Sequence, residues 1–215
     1  MYRTLVILRH TFLVAIVQPI YTLLLTLGAA IVVIYAMLPF FTFGEDTIMY
    51  KSICLDVILL VTLLATLFAT SRSIFDEIED RTMLTLMSKP VSKLQVLLGK
   101  YFGIILAALL AVAALGAILM LCTWLRLPGD YQLRTTTVDE REIAQIWEYR
   151  KMHLAVLVPS LALIWMQVSV LAAIGVAMTT RFSLVVNRPV VILLYFAGNL
   201  TRFLFPIFGH DTNSL

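Results

Sequence analysis

Long apolar runs, repeated along the chain, constrain it more than any other feature. A helix needs about 20 apolar residues to cross about 30 Å of hydrocarbon, where no water can satisfy an open backbone. Five stretches are candidates: about 19–38, 53–74, 94–124, 154–180 and, more weakly, 189–208. The last loses its unbroken apolar character at Gly198, and Asn199, Arg202 and Pro206 follow. It reads either as a full span with a snorkelling Arg202 or as a broken, re-entrant segment. Composition removes a water-soluble fold. Apolar residues make up 61% of the 215 positions and charged residues 13%, against about 45–50% and about 25% in soluble domains. A chain of this size has too little interior to bury the excess. The expected fold is all-α: a polytopic helical membrane protein with about five transmembrane helices, in a single domain over 1–215.

The flanks set the topology. Residues 1–17 place Arg3, Arg9 and His10 among Leu5, Val6, Leu8 and Phe12, the pattern of an N-terminal interfacial helix. They are not a cleavable leader, because the apolar run that follows is too long and no small-residue cleavage site closes it. The N-terminal segment has two Lys+Arg, the stretch from Arg72 to Lys100 five and the link from Arg181 to Arg188 two, making nine on one side. Lys51, five residues from Arg126 to Lys151 and Arg202 make seven on the other. The link from Arg181 to Arg188 holds no acid, whereas the five basic residues of the 126–153 loop face five acids. The positive-inside rule then places the N-terminus in the cytoplasm. The loop at 126–153 is extracytoplasmic on this reading. Within it, 138–151 is expected to form a short surface helix anchored by Trp147.

Two of the spans carry small-residue ridges. Gly99, Gly103, Ala107 and Ala111 recur every four residues in the third, and Ser169, Ala173 and Ala177 in the fourth. Such ridges let helix backbones approach, within one subunit or at a dimer seam. Thr62, Thr66 and Thr70 form a stripe in the second span, which reads as hydroxyls bonded to their own helix or as a mildly polar wall. Gln167 lies mid-span and is expected to bond another helix. Asp56 is expected to be wet, at the outer end of the second span. Cys54 and Cys122 read as buried small hydrophobes, and a disulfide between them stays open. The acceptor pattern Asn199-Leu200-Thr201 lies in or against the membrane and is discounted as a glycosylation site.

Chemistry of other kinds is missing from the sequence. There is no P-loop pattern, no H-E-x-x-H, no C-x-x-C and no G-x-S-x-G. His10, His153 and His210 lie in separate flanks, so neither a metal site nor a cofactor is expected. A net charge of +3 without a basic block gives no reason to expect nucleic acid.

One polar segment is dense with information. From Phe75 to Gly103 the chain reads FDEIEDRTMLTLMSKPVSKLQVLLGKYFG. Asp76, Glu77, Glu79 and Asp80 are too costly to sit in hydrocarbon, and Arg81 follows them. Residues 83–87 form a short apolar stretch, and Pro90 stops it and suits the first turn of the next helix. Lys93 and Lys100 share one face at the start of the third span. By itself this is a helix leaving the membrane, a short surface helix and a helix returning. An ordinary cytoplasmic hairpin loop is the plain alternative.

The run resembles the signature of the ABC-2 type permease family, the membrane subunits of ATP-binding-cassette transporters. The matching positions are Glu77, Glu79, Arg81, Thr82, Leu86, Pro90, Val91, Ser92, Lys93, Gly99 and Lys100, over about 25 residues. Asp80 departs from the Gly that relatives often carry there. The resemblance implies a permease domain whose 76–93 segment is the coupling helix, seated in a groove of a separate ATPase subunit. On it, Met83, Leu84, Leu86 and Met87 form the docking face. Glu77, Glu79, Asp80 and Arg81 form a charged collar, Thr82 belongs to the same ATPase-coupling segment, and Lys93 and Lys100 anchor the returning helix at the lipid headgroups. It further implies a second permease copy or homologue as dimer partner, a multi-pass location in a bacterial-type inner (plasma) membrane, and no catalytic residue in this chain. A non-transporting membrane scaffold is the alternative function, and a membrane enzyme a more distant one. Permeases of that family usually have six spans with both ends cytoplasmic. Four clear spans and a weak fifth therefore imply a re-entrant fifth segment or a truncated six-span bundle, and the truncated bundle is the expectation.

Overall fold

The computed structural model describes residues 2–37, 46–79, 93–132, 140–179 and 184–204. These residues form six helices and no strand: α1 (Tyr2–Val17), α2 (Pro19–Met37), α3 (Asp46–Glu79), α4 (Lys93–Gln132), α5 (Glu140–Thr179) and α6 (Leu184–Leu204). Four carry apolar segments long enough to cross a membrane: Pro19–Met37, Ile48–Thr70, Gln95–Leu125 and Lys151–Thr179. The protein is a helical membrane protein. In α6 only Pro189–Leu200 is apolar, and this part is shorter than a span. The helix itself is unbroken over 21 residues, a length of about 30 Å. Asn187 and Arg188 at one end and Asn199 and Arg202 at the other shorten its apolar part.

Two helices run well past the apolar signal. Both α4 and α5 are 40 residues long. Of the surface helix expected over 138–151, residues 140–151 are instead the opening of α5, and residues 126–132, expected in a loop, continue α4, while 133–139 lie outside the described residues. Between Glu140 and Val158 there is neither Gly nor Pro, and good helix formers dominate, so no local signal separates a surface helix from the span.

At the other end of the chain, α1 and α2 are separated by one residue. The Gln18 carbonyl accepts the N–H groups of Tyr21 (3.0 Å) and Thr22 (3.3 Å), capping α2, and Pro19 occupies the first helical position, where a missing N–H costs nothing.

Helices α3 and α4 form an antiparallel pair at the centre. α2 packs on both, α5 packs on both, α6 lies against α5 and α3, and α1 runs along α4. The main core joins Val32 of α2, Tyr50, Cys54, Ile58 and Val61 of α3, Val112, Leu115 and Leu119 of α4, and Leu157, Leu161, Ile164 and Val168 of α5. Large apolar side chains also cover the outside, among them Leu23, Leu121, Leu125, Leu163, Val170 and Leu193. Apolar side chains both inside and outside suit hydrocarbon as the solvent. In lipid, packing and small residues hold helices together rather than the expulsion of water.

The α3–α4 seam has a definite register. Val61 and Leu115 both lie against Gly28 of α2, and Ala65 and Ala69 of α3 cluster with Ala111 and Ala107 of α4, so a step up one helix matches a step down the other. Between the levels of Val61 and Glu79, Ala65 and Ala69 share a cluster with Ala107 and Ala111, which allows close backbone approach.

Candidate functional site

The antiparallel hairpin brings the last turn of α3, ending at Glu79, and the first turn of α4, starting at Lys93, to the same end of the bundle. Glu77 and Glu79 lie on that last turn of α3, and Lys93 is the first residue of α4. Asp80, Arg81, Thr82, Met83, Leu84, Leu86, Met87 and Pro90 lie outside the described residues. The candidate site is therefore known by its frame: two helices that deliver the 80–92 segment at one pole of the molecule.

A third helix braces that frame. At Gly99 the space for a Cβ is bounded by Ile7 Cγ2 at 3.0 Å and the Thr4 carbonyl oxygen at 3.2 Å. At Gly103 it is bounded by Thr11 Cβ at 2.8 Å and the Leu8 carbonyl oxygen at 2.9 Å. Missing side chains on α4 thus seat the backbone of α1. Two turns on, Ala107 and Ala111 pack with Ala15, Tyr21, Ala65 and Ala69, and the Tyr21 hydroxyl donates to the Ala107 carbonyl at 2.8 Å. All four members of the Gly99–Ala111 ridge face helices of this same chain. The outer side of α1 carries exposed Leu5, Val6, Leu13, Val14 and Val17 with Arg9 and His10, so the N-terminal helix is both lipid-facing and clamped to α4.

Lys100 sits differently from a headgroup anchor. It is 3% exposed, held inside the bundle between the two glycine contacts with α1. The seam register puts its backbone level with the last turns of α3.

The second ridge is turned outward by about one residue. On α5 the buried positions are Val168, Leu171, Ala172, Gly175, Val176 and Thr179, whereas Ser169 and Ala173 are half-buried and Ala177 exposed. Ser169 donates its hydroxyl to the Met166 carbonyl (2.7 Å), and its own carbonyl accepts from Tyr101 of α4 (3.3 Å). Gln167 is exposed on the bundle surface and bridges to no other helix among the described residues.

The threonine stripe is buried throughout. Thr66 donates to the Thr62 carbonyl (2.9 Å) and Thr70 to the Thr66 carbonyl (2.7 Å), the self-bonded arrangement of hydroxyls in apolar helices. Thr62 Oγ1 is buried with no partner. Thr66 and Thr70 are thus satisfied within their own helix, and Thr62 alone of the three has no partner among the described residues. Asp56 is exposed. No group of three metal-ligating side chains occurs among the described residues.

Two polar contacts at the pole away from residues 80–92 escaped the sequence reading. Lys51, assigned to a loop by its charge, is 8% exposed on α3, and its ammonium meets Nδ1 of His153 on α5. Tyr50, fully buried, donates to the Val32 carbonyl of α2 at 3.4 Å, in the core cluster that holds Cys54 and against which Cys122 packs. The only local hint was the spacing of Tyr50 and Cys54, one turn apart. The partners stand 18 residues away for Tyr50 with Val32 and 102 for Lys51 with His153, and nothing local encodes either.

Compared with known families, residues 7–184 match a family model described as ABC-2 family transporter protein. No curated protein and no solved structure gives a significant match to the chain.

Proposed function

The chain belongs to the ABC-2 transporter family and is a transport permease, and from that premise we propose that it couples to a separate ATPase through its 76–93 segment. The observation that carries this reading is the braced frame. α3 and α4 deliver the segment, and α1 is seated on Gly99 and Gly103 of α4 by backbone contact. A force applied to the segment by a nucleotide-driven ATPase would enter α3 and α4 together. Both run the full depth of the bundle, so displacement at one pole is carried to the other by packed helices rather than absorbed in a loop. In this mechanism Met83, Leu84, Leu86 and Met87 seat the segment in the ATPase. Glu77, Glu79, Asp80, Arg81 and Thr82 set its register, and Pro90 ends it before α4 begins. Lys93 lies at the headgroups and Lys100 within the packed interior. ATP is hydrolysed in the partner chain. The active unit pairs this permease with a second copy or homologue in the inner membrane, with the N-terminus and the 80–92 segment in the cytoplasm.

The test is co-purification with the ATPase. Leu86→Asp, or deletion of residues 83–87, is expected to abolish association with the ATPase and stimulation of its ATP turnover. Insertion into the membrane should be unchanged. Retained association in both variants would sink the proposal and favour a scaffold that has no energy coupling.

A further inference from the structure

Cys54 and Cys122 are the only two cysteines of the chain, and the fold brings them to one place. Cys54 is fully buried on α3, Cys122 is half-buried on α4, and neither is in a disulfide. Tyr50 and Cys54 belong to the same core cluster, and Cys122 packs against it. The seam register leads to the same pairing without reference to the cysteines: Val61 and Leu115 both border Gly28, Ala65 and Ala69 cluster with Ala107 and Ala111, and seven residues beyond Val61 and Leu115 stand Cys54 and Cys122. A disulfide needs Cα atoms about 4.4–6.8 Å apart. Helices that meet through alanine on both sides, as these do at Ala65, Ala69, Ala107 and Ala111, are among those whose backbones come nearest.

We propose that Cys54 and Cys122 are an oxidisable dithiol that closes to a disulfide, stapling α3 to α4 at the pole away from residues 80–92. The co-reactant is a disulfide oxidant. Cys122 reacts first, because it is the accessible thiol and lies three residues, about 4.5 Å, from the end of the apolar segment at Leu125. Its thiolate attacks one sulfur of the oxidant, breaking that S–S bond and releasing one thiol. Cys54 then attacks Sγ of Cys122, breaking the mixed disulfide and releasing the second thiol. Two cysteine protons and two electrons pass to the oxidant, whose disulfide becomes two thiols. This chemistry depends on the α3–α4 register alone and holds whether or not the chain couples to an ATPase.

The experiment uses the purified full-length chain in detergent, treated with dipyridyl disulfide and followed by intact mass. The expected product has lost two hydrogens, carries no pyridyl adduct, stays monomeric on a non-reducing gel and is restored by dithiothreitol. Cys54→Ser is expected to stop at one stable adduct on Cys122. Cys122→Ser is expected to react about tenfold or more slowly, since only the buried thiol remains. Stable adducts on the wild-type chain without closure would overturn the proposal. So would disulfide-linked dimers, or no reaction in the native protein when the denatured protein reacts at both thiols.

Discussion

Lys51 and His153 make an unequal pair. The lysine brings a charge into a buried site at one edge of the bundle, and the histidine supplies an acceptor from α5. Removing the acceptor leaves a buried ammonium without the only partner it has among the described residues. Removing the lysine leaves a neutral ring. We therefore expect His153→Leu to cost about 1–3 kcal/mol and Lys51→Met distinctly less, with the double variant close to Lys51→Met alone. Unfolding in detergent, read as the midpoint of a thermal or denaturant transition, gives the ranking. Equal losses in the two single variants would show that the contact, not the charge, carries the effect. The pairing was beyond sequence reading because charge counting assigns Lys51 to a loop, and only α5, more than 100 residues on, makes the buried position tolerable.

Between elements, the contact of α1 with α4 is the most sharply defined. A methyl group at Gly103 meets Thr11 Cβ at 2.8 Å and the Leu8 carbonyl at 2.9 Å, and neither can swing away without moving α1. A methyl at Gly116 meets only the tip of Leu161, a side chain that can change rotamer, and at Gly198 nothing lies within 4 Å. Gly103→Ala is thus expected to lose about 1–3 kcal/mol and to loosen α1. Gly116→Ala should lose little, and Gly198→Ala nothing measurable. Limited proteolysis near Val17 and the unfolding midpoint would report these effects, and an unchanged Gly103→Ala variant would refute the clamp. The four-residue period of Gly99, Gly103, Ala107 and Ala111 was visible in the sequence as a packing ridge. Its partner was not, since a ridge of small residues accepts any helix that fits. The outcome was α1, α2 and α3 of the same chain.

For the whole molecule, the connectivity makes a statement about sides. The ends of α3 and α5 share one pole with the starts of α4 and α6, and the ends of α2 and α4 share the other with the starts of α3 and α5. With the N-terminus in the cytoplasm, a reporter inserted between residues 80 and 92 should be active only as a cytoplasmic enzyme. One inserted between 133 and 139 should be active only as an exported enzyme. The reverse pattern would invert the orientation, and two reporters on the same side would contradict the hairpin. The 80–92 insertion also tests coupling, because it should disrupt ATPase association while the 133–139 insertion leaves it intact.

Helix type, the four spans and the polar break between the second and third were all legible in the residues. Each is a property of a continuous stretch: apolar length against bilayer thickness, and the cost of carboxylates in hydrocarbon. Helix ends were less legible. Hydropathy reports solvent and not backbone conformation, so α5 begins well before its apolar part at Lys151. Which buried groups meet was not legible at all. Lys51 with His153, Tyr21 with Ala107, and Cys54 with Cys122 at Tyr50 are pairings between distant stretches. Lys51 with His153 joins α3 to α5, and Tyr21 with Ala107 joins α2 to α4, so each depends on how whole helices pack. Composition makes the chain enter a membrane as helices, but in lipid every apolar face is equally acceptable. The choice among faces falls to steric fit, at glycine and alanine seams that only the assembled bundle brings together.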